Sequence, residues 1–302
     1  MKLKTIPWQE FGVLVAISAI LMIVLIPVLA KSRNFERSSS CQANLKQWGV
    51  IFAMYAEGNK KLYPRCATKD EQTNTRKPQH GFVSAPYGPS IYPDYCNDLK
   101  MFFCPSSTLT HEDYLKEPGC RWCNVETGKL DPRNFDDASY TYSGWISIDD
   151  QEFAGVVACR LFLSHSDAKD LPEVAERDFD FEELGGTERL QAILYAEAKK
   201  QPGNLCAELP KLSGNRYWSD EDSLSIQRVH KGLTVRDIGG DTDSIQAEVP
   251  VMWDRASDTP GDAPHKTRTT AYGRNALFLD GHVEFMDTRY WRLHEALERL
   301  AD

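Results

Sequence analysis

The sequence predicts an α+β protein in which one long N-terminal α-helix packs against an antiparallel β-sheet with loop insertions. Three observations lead to this prediction. Residues 11–30 (FGVLVAISAILMIVLIPVLA) carry no charge, residues 41–55 carry apolar side chains at helical spacing, and the pair Asp280-Gly281 separates two apolar runs near the C-terminus. The first two patterns predict the helix, and the third predicts a β-hairpin.

The uncharged run of residues 11–30 predicts a transmembrane helix, preceded by a short cytoplasmic segment at residues 1–10. Twenty residues at about 1.5 Å each extend roughly 30 Å, the thickness of one hydrocarbon core. Lipid offers no hydrogen-bond partners to backbone N–H and C=O groups, so a single segment crosses the membrane as a helix, which satisfies these groups internally. A cleaved secretory signal is the alternative, because Lys2 and Lys4 give a basic start. Signal cores usually run about 7 to 15 residues, however, and this run is longer.

Residues 31–58 predict an extramembrane continuation of the same helix. Apolar side chains recur there at steps of four and three residues, which places them on one face of a helix. They are Cys41, Leu45, Trp48, Phe52 and Tyr55. Gly58, in a left-handed conformation, is expected to end the helix. The helix therefore has membrane around its first half and a folded domain, residues 59–302, on one face of its second half.

The folded domain is predicted to contain short strands, helices and irregular loops. The expected strands lie at 139–148, 155–164, 233–243 and 249–254, and the expected helices at 187–200 and after Thr288. Strand predictions rest on alternation or on runs of β-forming residues, and helix predictions rest on apolar spacing of three and four. Mixed segments of this kind indicate the α+β class.

Asp280-Gly281 is the clearest local signal in the domain. A two-residue loop of this composition predicts a type I′ turn, in which both residues have positive φ. Such a turn pairs Leu279 with His282. One face of the hairpin is then expected to lie against the long helix, and its residues are Ala276, Phe278, Val283 and Phe285.

Composition and short motifs narrow the classes of function that the sequence predicts for this chain. The net charge is −9 and no basic run exists, which excludes nucleic acid as the expected partner. No G-x-S-x-G, P-loop or H-E-x-x-H pattern is present, and we expect no enzyme activity and no catalytic residues. Eight cysteines are more than a cytosolic protein of this size usually holds without metal.

The cysteines indicate disulfides in an oxidising compartment. All eight are candidates: Cys41, Cys66, Cys96, Cys104, Cys120, Cys123, Cys159 and Cys206. They allow 105 pairings, so the connectivity stays open. One expected bond joins Cys41, on the helix, to Cys104, and it ties the domain to the helix. The alternative is a four-thiolate zinc site built from Cys120-x-x-Cys123 with Cys96 and Cys104.

Four stretches of the chain resemble a bacterial family. They are CQANLKQWGVIFAMYAEGNKKLYP (residues 41–64), Cys104-Pro105-Ser106, VPVMWDR (249–255) and GRNALFLDGHVEF (273–285). They are similar to the pilin-like proteins typical of planctomycetes and their relatives. That family has a prepilin-type N-terminus and a C-terminal motif of His, nine residues and Asp-Gly. Here fourteen residues, instead of nine, lie between His265 and Asp280.

The resemblance implies an N-terminal processing site. In pilin-like precursors a glycine precedes the cut and a glutamate lies five residues into the mature chain. Glu10 matches that glutamate, which puts the cut between Thr5 and Ile6, with Thr5 in place of the glycine. The family's glutamate pairs with the freed amino terminus of a neighbouring subunit, and the resemblance gives that role to Glu10.

The resemblance implies a structural pseudopilin-like subunit of a type II secretion system or related envelope filament assembly. It places the chain in the bacterial inner membrane as a single-pass protein, with a cytoplasmic N-terminus and a periplasmic (extracytoplasmic) main domain. Its partners are then the membrane, other pilin-like subunits through the N-terminal helix, and secretion-system components. The alternative is a pilin-anchored extracytoplasmic binding domain or enzyme that uses the helix only as a tether.

No cofactor is expected apart from calcium. Some major pseudopilins hold calcium in a C-terminal loop, and the resemblance makes Asp280 the candidate ligand. The predicted turn accounts for Asp280 equally well. His282-x-Glu284 imitates part of a zinc deaminase signature, but no Pro-Cys-x-x-Cys follows it.

Overall fold

The structure is a computed structural model, and it describes the following parts of the chain. They are residues 17–18, 21–23, 39–76, 79–105, 107, 110–116, 119–147, 150–165, 170–200, 225–230, 246–255, 273–287, 297 and 300. These parts contain α-helices and antiparallel strands, which confirms the α+β class.

The central helix of the described structure, α1, covers residues 39–58. Four members of the predicted stripe (Cys41, Leu45, Trp48 and Phe52) are fully buried, whereas Tyr55 is half-buried. The predicted left-handed cap at Gly58 is wrong. The left-handed residues are Lys60 and Lys61, with φ of 55° and 67°. The Lys61 N–H donates to the Ala56 carbonyl at 2.9 Å, so the chain turns two residues later than expected.

The predicted transmembrane segment is described only in part. Residues 17–18 and 21–23 are helical, and Ile17, Leu21, Met22 and Ile23 are exposed. Among the described residues, none of the helices combines the length and the hydropathy that a bilayer crossing needs. The rest of residues 11–30, the path between residues 23 and 39, and the processing residues Thr5, Ile6 and Glu10 lie outside the described residues.

A four-stranded antiparallel sheet lies beside α1. Its strands, in their order across the sheet, are β3 (Tyr140–Tyr142), β6 (Pro250–Asp254), β7 (Gly273–Phe278) and β8 (Val283–Asp287). The strand expected at 249–254 is therefore confirmed, while the one expected at 139–148 is shorter. Beyond β3, Trp145 forms only an isolated bridge with Arg228.

The β7–β8 hairpin has a different register from the predicted one. Leu277 pairs with Val283, and the Phe278 N–H donates to the His282 carbonyl, which leaves a three-residue loop. Only Gly281 in this loop has positive φ, at 89°. Such a loop combines an ordinary turn with one left-handed residue.

The altered register changes which side chains face α1. A Cβ added to Gly49 of α1 would lie 3.0 Å from Leu277 Cδ1, and Gln42 of α1 bonds to Asn275. The odd-numbered residues of β7 therefore face the helix, and the expectation that Ala276 and Phe278 do so is wrong. The reason is the period of two in a strand, which moves a whole set of side chains to the other face with a shift of one residue.

Another helix, numbered α3 by its place in the chain (Asp150–His165), covers the face of the sheet opposite α1. There the Phe153 ring packs edge-on against the Trp253 ring, with centroids 5.6 Å apart. The strand expected at 155–164 is wrong, because this segment belongs to α3. Residues 156–159 are consecutive and all fully buried. A helix buried on every side shows no amphipathic period, so its apolar run imitates a strand.

The described chain also contains shorter elements around this framework. The predicted helix at 187–200 is confirmed as α5 (Thr187–Ala198), which packs on α3. The others are β1 (Cys66–Thr68), β2 (Phe82–Pro86), α2 (His111–Leu115), α4 (Leu171–Val174), β4 (Phe179–Asp180) and β5 (Ser225–Ile226), with 3₁₀ turns at Lys69–Glu71, Gly88–Ser90, Leu99–Phe102 and Pro132–Asn134. Leu297 and Leu300 are helical and buried. The strand expected at 233–243 lies outside the described residues.

Candidate functional site

The inner face of α1 is buried against aromatic side chains of the described domain. The Trp48 ring meets Phe102 with ring centroids 4.9 Å apart, and its Nε1–H donates to the Met101 carbonyl at 2.9 Å. Farther along the helix, the Phe52 ring lies 5.1 Å from that of Tyr142 on β3. Aromatic contacts of this kind add to the area that burial removes from water. The helix is therefore an integral part of the domain core.

A covalent bond joins the N-terminal end of α1 to the domain. Cys41 and Cys104 form a disulfide with their Cα atoms 5.3 Å apart, and this is the bond expected from the sequence. Next to it, Asn44 Nδ2 donates to the Phe103 carbonyl at 3.1 Å. The segment around Cys104 is thus held to α1 by both covalent and polar contacts.

A buried polar cluster lies between this end of α1 and the sheet. Asn275 donates from its backbone N–H and from Nδ2 to Asp254 Oδ2, at 3.0 and 2.8 Å. Gln42 Nε2 donates in turn to Asn275 Oδ1 at 3.0 Å. Burial and the nearby Asp254 carboxylate raise the pKa of Tyr140 well above its ordinary value. A fully buried carboxylate is costly unless its oxygens receive hydrogen bonds, and Asn275 supplies two of them.

The polar cluster also brings metal-binding atoms together. One ligand atom each from Cys41, Cys104 and Asp254 lies within 4.8 Å of the other two, and all three residues are buried. Among the residues that the structure describes, no other group of three or more His, Cys, Asp or Glu side chains has its ligand atoms this close together. Thiolate and carboxylate are both ligand types that zinc accepts.

The outer face of α1 carries apolar side chains into solvent. Val50 is 59% exposed and Met54 is 52% exposed. Ala43 and Gln47 are also exposed, and the four positions follow at steps of four, three and four along one side of the helix. We call these four residues the outer stripe. Exposed apolar side chains are ordinary when scattered singly, but Val50 and Met54 are adjacent, one helical turn apart, and adjacent exposed apolar side chains are a feature of contact surfaces.

The remaining cysteines divide into a second disulfide and a set of buried thiols. Cys120 and Cys123 are joined to each other, three positions apart in sequence. With Cys104 also engaged, the structure does not assemble the four-thiolate zinc alternative. Cys66, Cys96 and Cys159, which were disulfide candidates, are buried free thiols in the structure, and Cys206 lies outside the described residues. Buried thiols pack as small apolar groups, which is why composition alone does not separate them from half-cystines.

Burial determines the titration of these thiols. It raises the pKa of the Cys66 thiol to about 11, although three arginines, Arg160 first among them, act in the opposite direction. It also raises the pKa of Cys96, and that of Cys159 well above the ordinary value. Thiols held protonated in this way are poor nucleophiles, so none of the three fits a catalytic role.

Asp280 makes hydrogen-bond contacts within the hairpin loop. Its Oδ1 accepts from the His282 N–H at 2.9 Å and lies 2.6 Å from His282 Nδ1. The His282 ring stacks on Phe278 with ring centroids 4.4 Å apart. Calcium takes six to eight oxygen ligands, and in the part of the chain the structure describes, Asp280 belongs to no cluster of three acidic or metal-binding residues. His265 lies outside the described residues.

Four polar residues on or beside α1 were not predicted from the sequence: Gln42, Asn44, Asp254 and Asn275. A usable signal existed for Asp254, which ends the apolar run VPVMWD. A carboxylate at the end of a buried strand needs hydrogen-bond partners, so the presence of Asp254 there was enough to predict a polar site nearby. No equivalent signal marks Asn275, because its role depends on the register of β7.

Comparison of the chain with protein-family profiles, with curated proteins and with solved structures finds no match.

Proposed function

We propose that this chain is a structural pseudopilin-like subunit of a type II secretion system or related envelope filament assembly. In this proposal α1 has two roles, as the spine of its own domain and as the helix through which subunits pack. The observation that carries the proposal is the two-sided character of α1. One side is buried in the domain and tied by the Cys41–Cys104 bond, while the other side presents the outer stripe to solvent.

The outer stripe supplies a modest energy at each subunit contact. Burying a Val or Met side chain fully is worth about 1.5–3 kcal/mol. Val50 and Met54 are already about half covered, so each has about 1 kcal/mol left to gain from a neighbouring helix. A contact this weak suits an assembly in which many subunits repeat the same interface, with the membrane-embedded halves of the helices adding to it.

Other features support the extracytoplasmic placement of the domain. Disulfides persist in oxidising compartments, and two cysteine pairs of the described chain are bonded. In the proposal, residues 11–30 hold the subunit in the inner membrane. The prepilin peptidase cuts between Thr5 and Ile6, and Glu10 sets the stagger between subunits.

Charge substitution in the outer stripe tests the proposal. The variant Val50→Asp/Met54→Asp places two carboxylates on the surface that subunits share. We expect the cross-linked ladder of multimers, formed by a lysine cross-linker in membranes containing the full-length chain, to collapse to the monomer. The matched control is Val125→Asp, because Val125 is also an exposed apolar residue (40%) but belongs to a turn outside α1. The proposal fails if both variants assemble like the parent chain.

Intact-mass measurement of the mature N-terminus separates the proposal from its rival, a pilin-anchored extracytoplasmic binding domain or enzyme. Loss of five residues with methylation of Ile6 supports assembly. An intact start favours a simple tether, and loss of thirty residues indicates a secreted protein.

Calcium at Asp280 remains part of the proposal and has its own test. Asp280→Asn keeps the side-chain acceptor that the loop uses but removes the charge. A calcium-dependent rise in melting temperature that is present in the parent chain and absent in this variant supports the site. Equal responses of the two chains count against it.

A further inference from the structure

The disulfide between α1 and the domain lies beside a third metal-binding group. The three groups come from separate parts of the chain. Cys41 belongs to α1, Cys104 follows the 3₁₀ turn Leu99–Phe102, and Asp254 ends β6. Their ligand atoms lie within 4.8 Å of one another and all three residues are buried. We propose that, when the Cys41–Cys104 bond is reduced, these residues form a buried binding site for a thiophilic divalent cation, with zinc as the best fit.

The ligand set suits zinc on chemical grounds. Zinc binds Cys sulfur at about 2.3 Å and carboxylate oxygen at about 2.0–2.2 Å, in tetrahedral geometry. Ligand atoms around such an ion lie roughly 3.5–3.8 Å apart. In the structure the two sulfurs are covalently bonded and therefore closer than this, so they must move apart after reduction, while the Asp254 oxygen already lies within 4.8 Å of both. Calcium and magnesium prefer oxygen ligands throughout, and the two sulfurs disfavour them.

The surroundings of Asp254 resemble the outer partners of a metal ligand. Two hydrogen bonds from Asn275 to the same oxygen, Oδ2, fix the orientation of the carboxylate. Gln42 holds Asn275 in place through its Oδ1. Such partners orient metal ligands in known sites, and their loss typically costs about 10–100-fold in metal affinity. Gln42 lies next to Cys41 on α1, so the same helix supplies both a ligand and its support.

The chemistry balances in two steps. A phosphine reductant and one water give two electrons and two protons to the disulfide, which yields two thiols and a phosphine oxide. Zinc then forms two Zn–S bonds and one Zn–O bond to the chain and keeps one water as its fourth ligand, and the two thiol protons leave to the buffer. The complex carries a net charge of −1, whereas two thiolates beside Asp254 without the ion carry −3 in a buried site. The ion therefore offsets most of the charge that burial penalises.

The consequence is that Cys41 and Cys104 tie α1 to the domain in either of two exclusive ways. The oxidised chain uses the covalent bond, and the reduced chain uses the cation. This assignment is independent of the filament role proposed above, because it concerns only contacts within one chain.

Zinc protection of the cysteines in the full-length chain tests the site without a variant. The chain, in detergent micelles, is reduced with a phosphine, incubated with or without zinc, and treated briefly with an alkylating reagent. Peptide mass spectrometry then gives the modified fraction of each cysteine. We expect zinc to protect Cys41 and Cys104 together, with at least about tenfold slower modification. Protection of neither residue, or equal protection of Cys96, overturns the proposal.

Cobalt titration measures the role of the carboxylate. Bound cobalt gives a thiolate-to-metal absorption band, and zinc should displace it. Asp254→Asn keeps both cysteines, so its fold is verified in the oxidised form before reduction. We expect at least about tenfold weaker cobalt binding in this variant, and unchanged binding in the control Cys96→Ala, whose thiol lies outside the cluster. Equal affinity in Asp254→Asn and the parent chain refutes the role of Asp254.

Discussion

The bond between Cys41 and Cys104 should contribute more to stability than any other covalent constraint in the described chain. The perturbation is the double variant Cys41→Ala/Cys104→Ala, which frees the N-terminal end of α1 from the domain. Its matched control is Cys120→Ala/Cys123→Ala, which removes the other disulfide. The two variants differ chiefly in the length of chain that each bond closes.

The magnitude follows from that difference. The Cys41–Cys104 bond spans 63 positions, and the loop-closure relation gives about 4 kcal/mol for it at 25 °C. The Cys120–Cys123 bond spans 3 positions, which gives about 2 kcal/mol. Both sulfurs of the first bond are also buried, and their removal adds roughly 1 kcal/mol each in lost packing. We therefore expect the first variant to be less stable than the control by about 4 kcal/mol, of which the difference in loop closure supplies about 2 kcal/mol.

The assay is guanidinium unfolding of the full-length chain in detergent, at mildly acidic pH so that thiol exchange is slow. Fluorescence of the buried residues Trp48, Trp122, Trp145 and Trp253 reports the transition. The free energy of unfolding is compared at equal slope, because a change in slope indicates a changed denatured state. Equal losses in the two variants, or a larger loss in the control, refute the reasoning.

Three further predictions concern packing and pH. Gly88→Ala places a Cβ 2.0 Å from the Pro132 carbonyl oxygen, and we expect it to lower the free energy of unfolding by about 1–3 kcal/mol in denaturant. Trp48→Phe leaves the buried Met101 carbonyl without its donor, which should cost about 1–3 kcal/mol in the same assay. Burial raises the pKa of the Cys66 thiol from 9 to about 11, so the folded chain holds that proton more tightly than the unfolded chain. The stabilisation that this tighter proton binding gives is complete below about pH 9 and is lost as the pH rises towards 11. We expect the free energy of unfolding to fall over that range.

Each of these has a control. Gly58→Ala meets only the Tyr95 hydroxyl at 3.5 Å, an ordinary contact, so it should leave stability unchanged or slightly higher. Cys66→Ala should remove its share of the alkaline decline, and an identical pH profile contradicts the assignment. For Trp48→Phe, a change below about 0.5 kcal/mol contradicts the importance of the hydrogen bond.

Several features were predictable because they depend on local periodicity. The buried stripe of α1 and the helix α5 follow from apolar spacing, since each presents one face to the core and another to water. The strand β6 and the hairpin between β7 and β8 follow from an apolar run and a turn signal. These patterns report how a short segment is divided between core and solvent.

Other features depend on contacts between distant segments. In the hairpin loop, the N–H groups of Leu279 and Asp280 donate to Val249 and Gln246. This engagement on the β6 side coincides with the three-residue loop and with Gly281 as its one left-handed residue, where the sequence predicts a two-residue turn. The helix α3 looked like a strand because sheet and helices cover it from several directions. Neither effect is visible in the local residue order.

A two-sided helix, a C-terminal hairpin and an α+β domain were predictable from residue order, because periodicity indicates which side of a segment meets the core. Only the tertiary structure showed that Cys120 is bonded to Cys123, that Cys66, Cys96 and Cys159 are free thiols, and that Asp254 and Asn275 lie beside the Cys41–Cys104 bond. It also showed which face of β7 meets α1. The physical reason is that the contacts of Asp254, Asn275 and β7 join residues far apart in the chain. A shift of one residue in strand register would break them while leaving every local pattern intact.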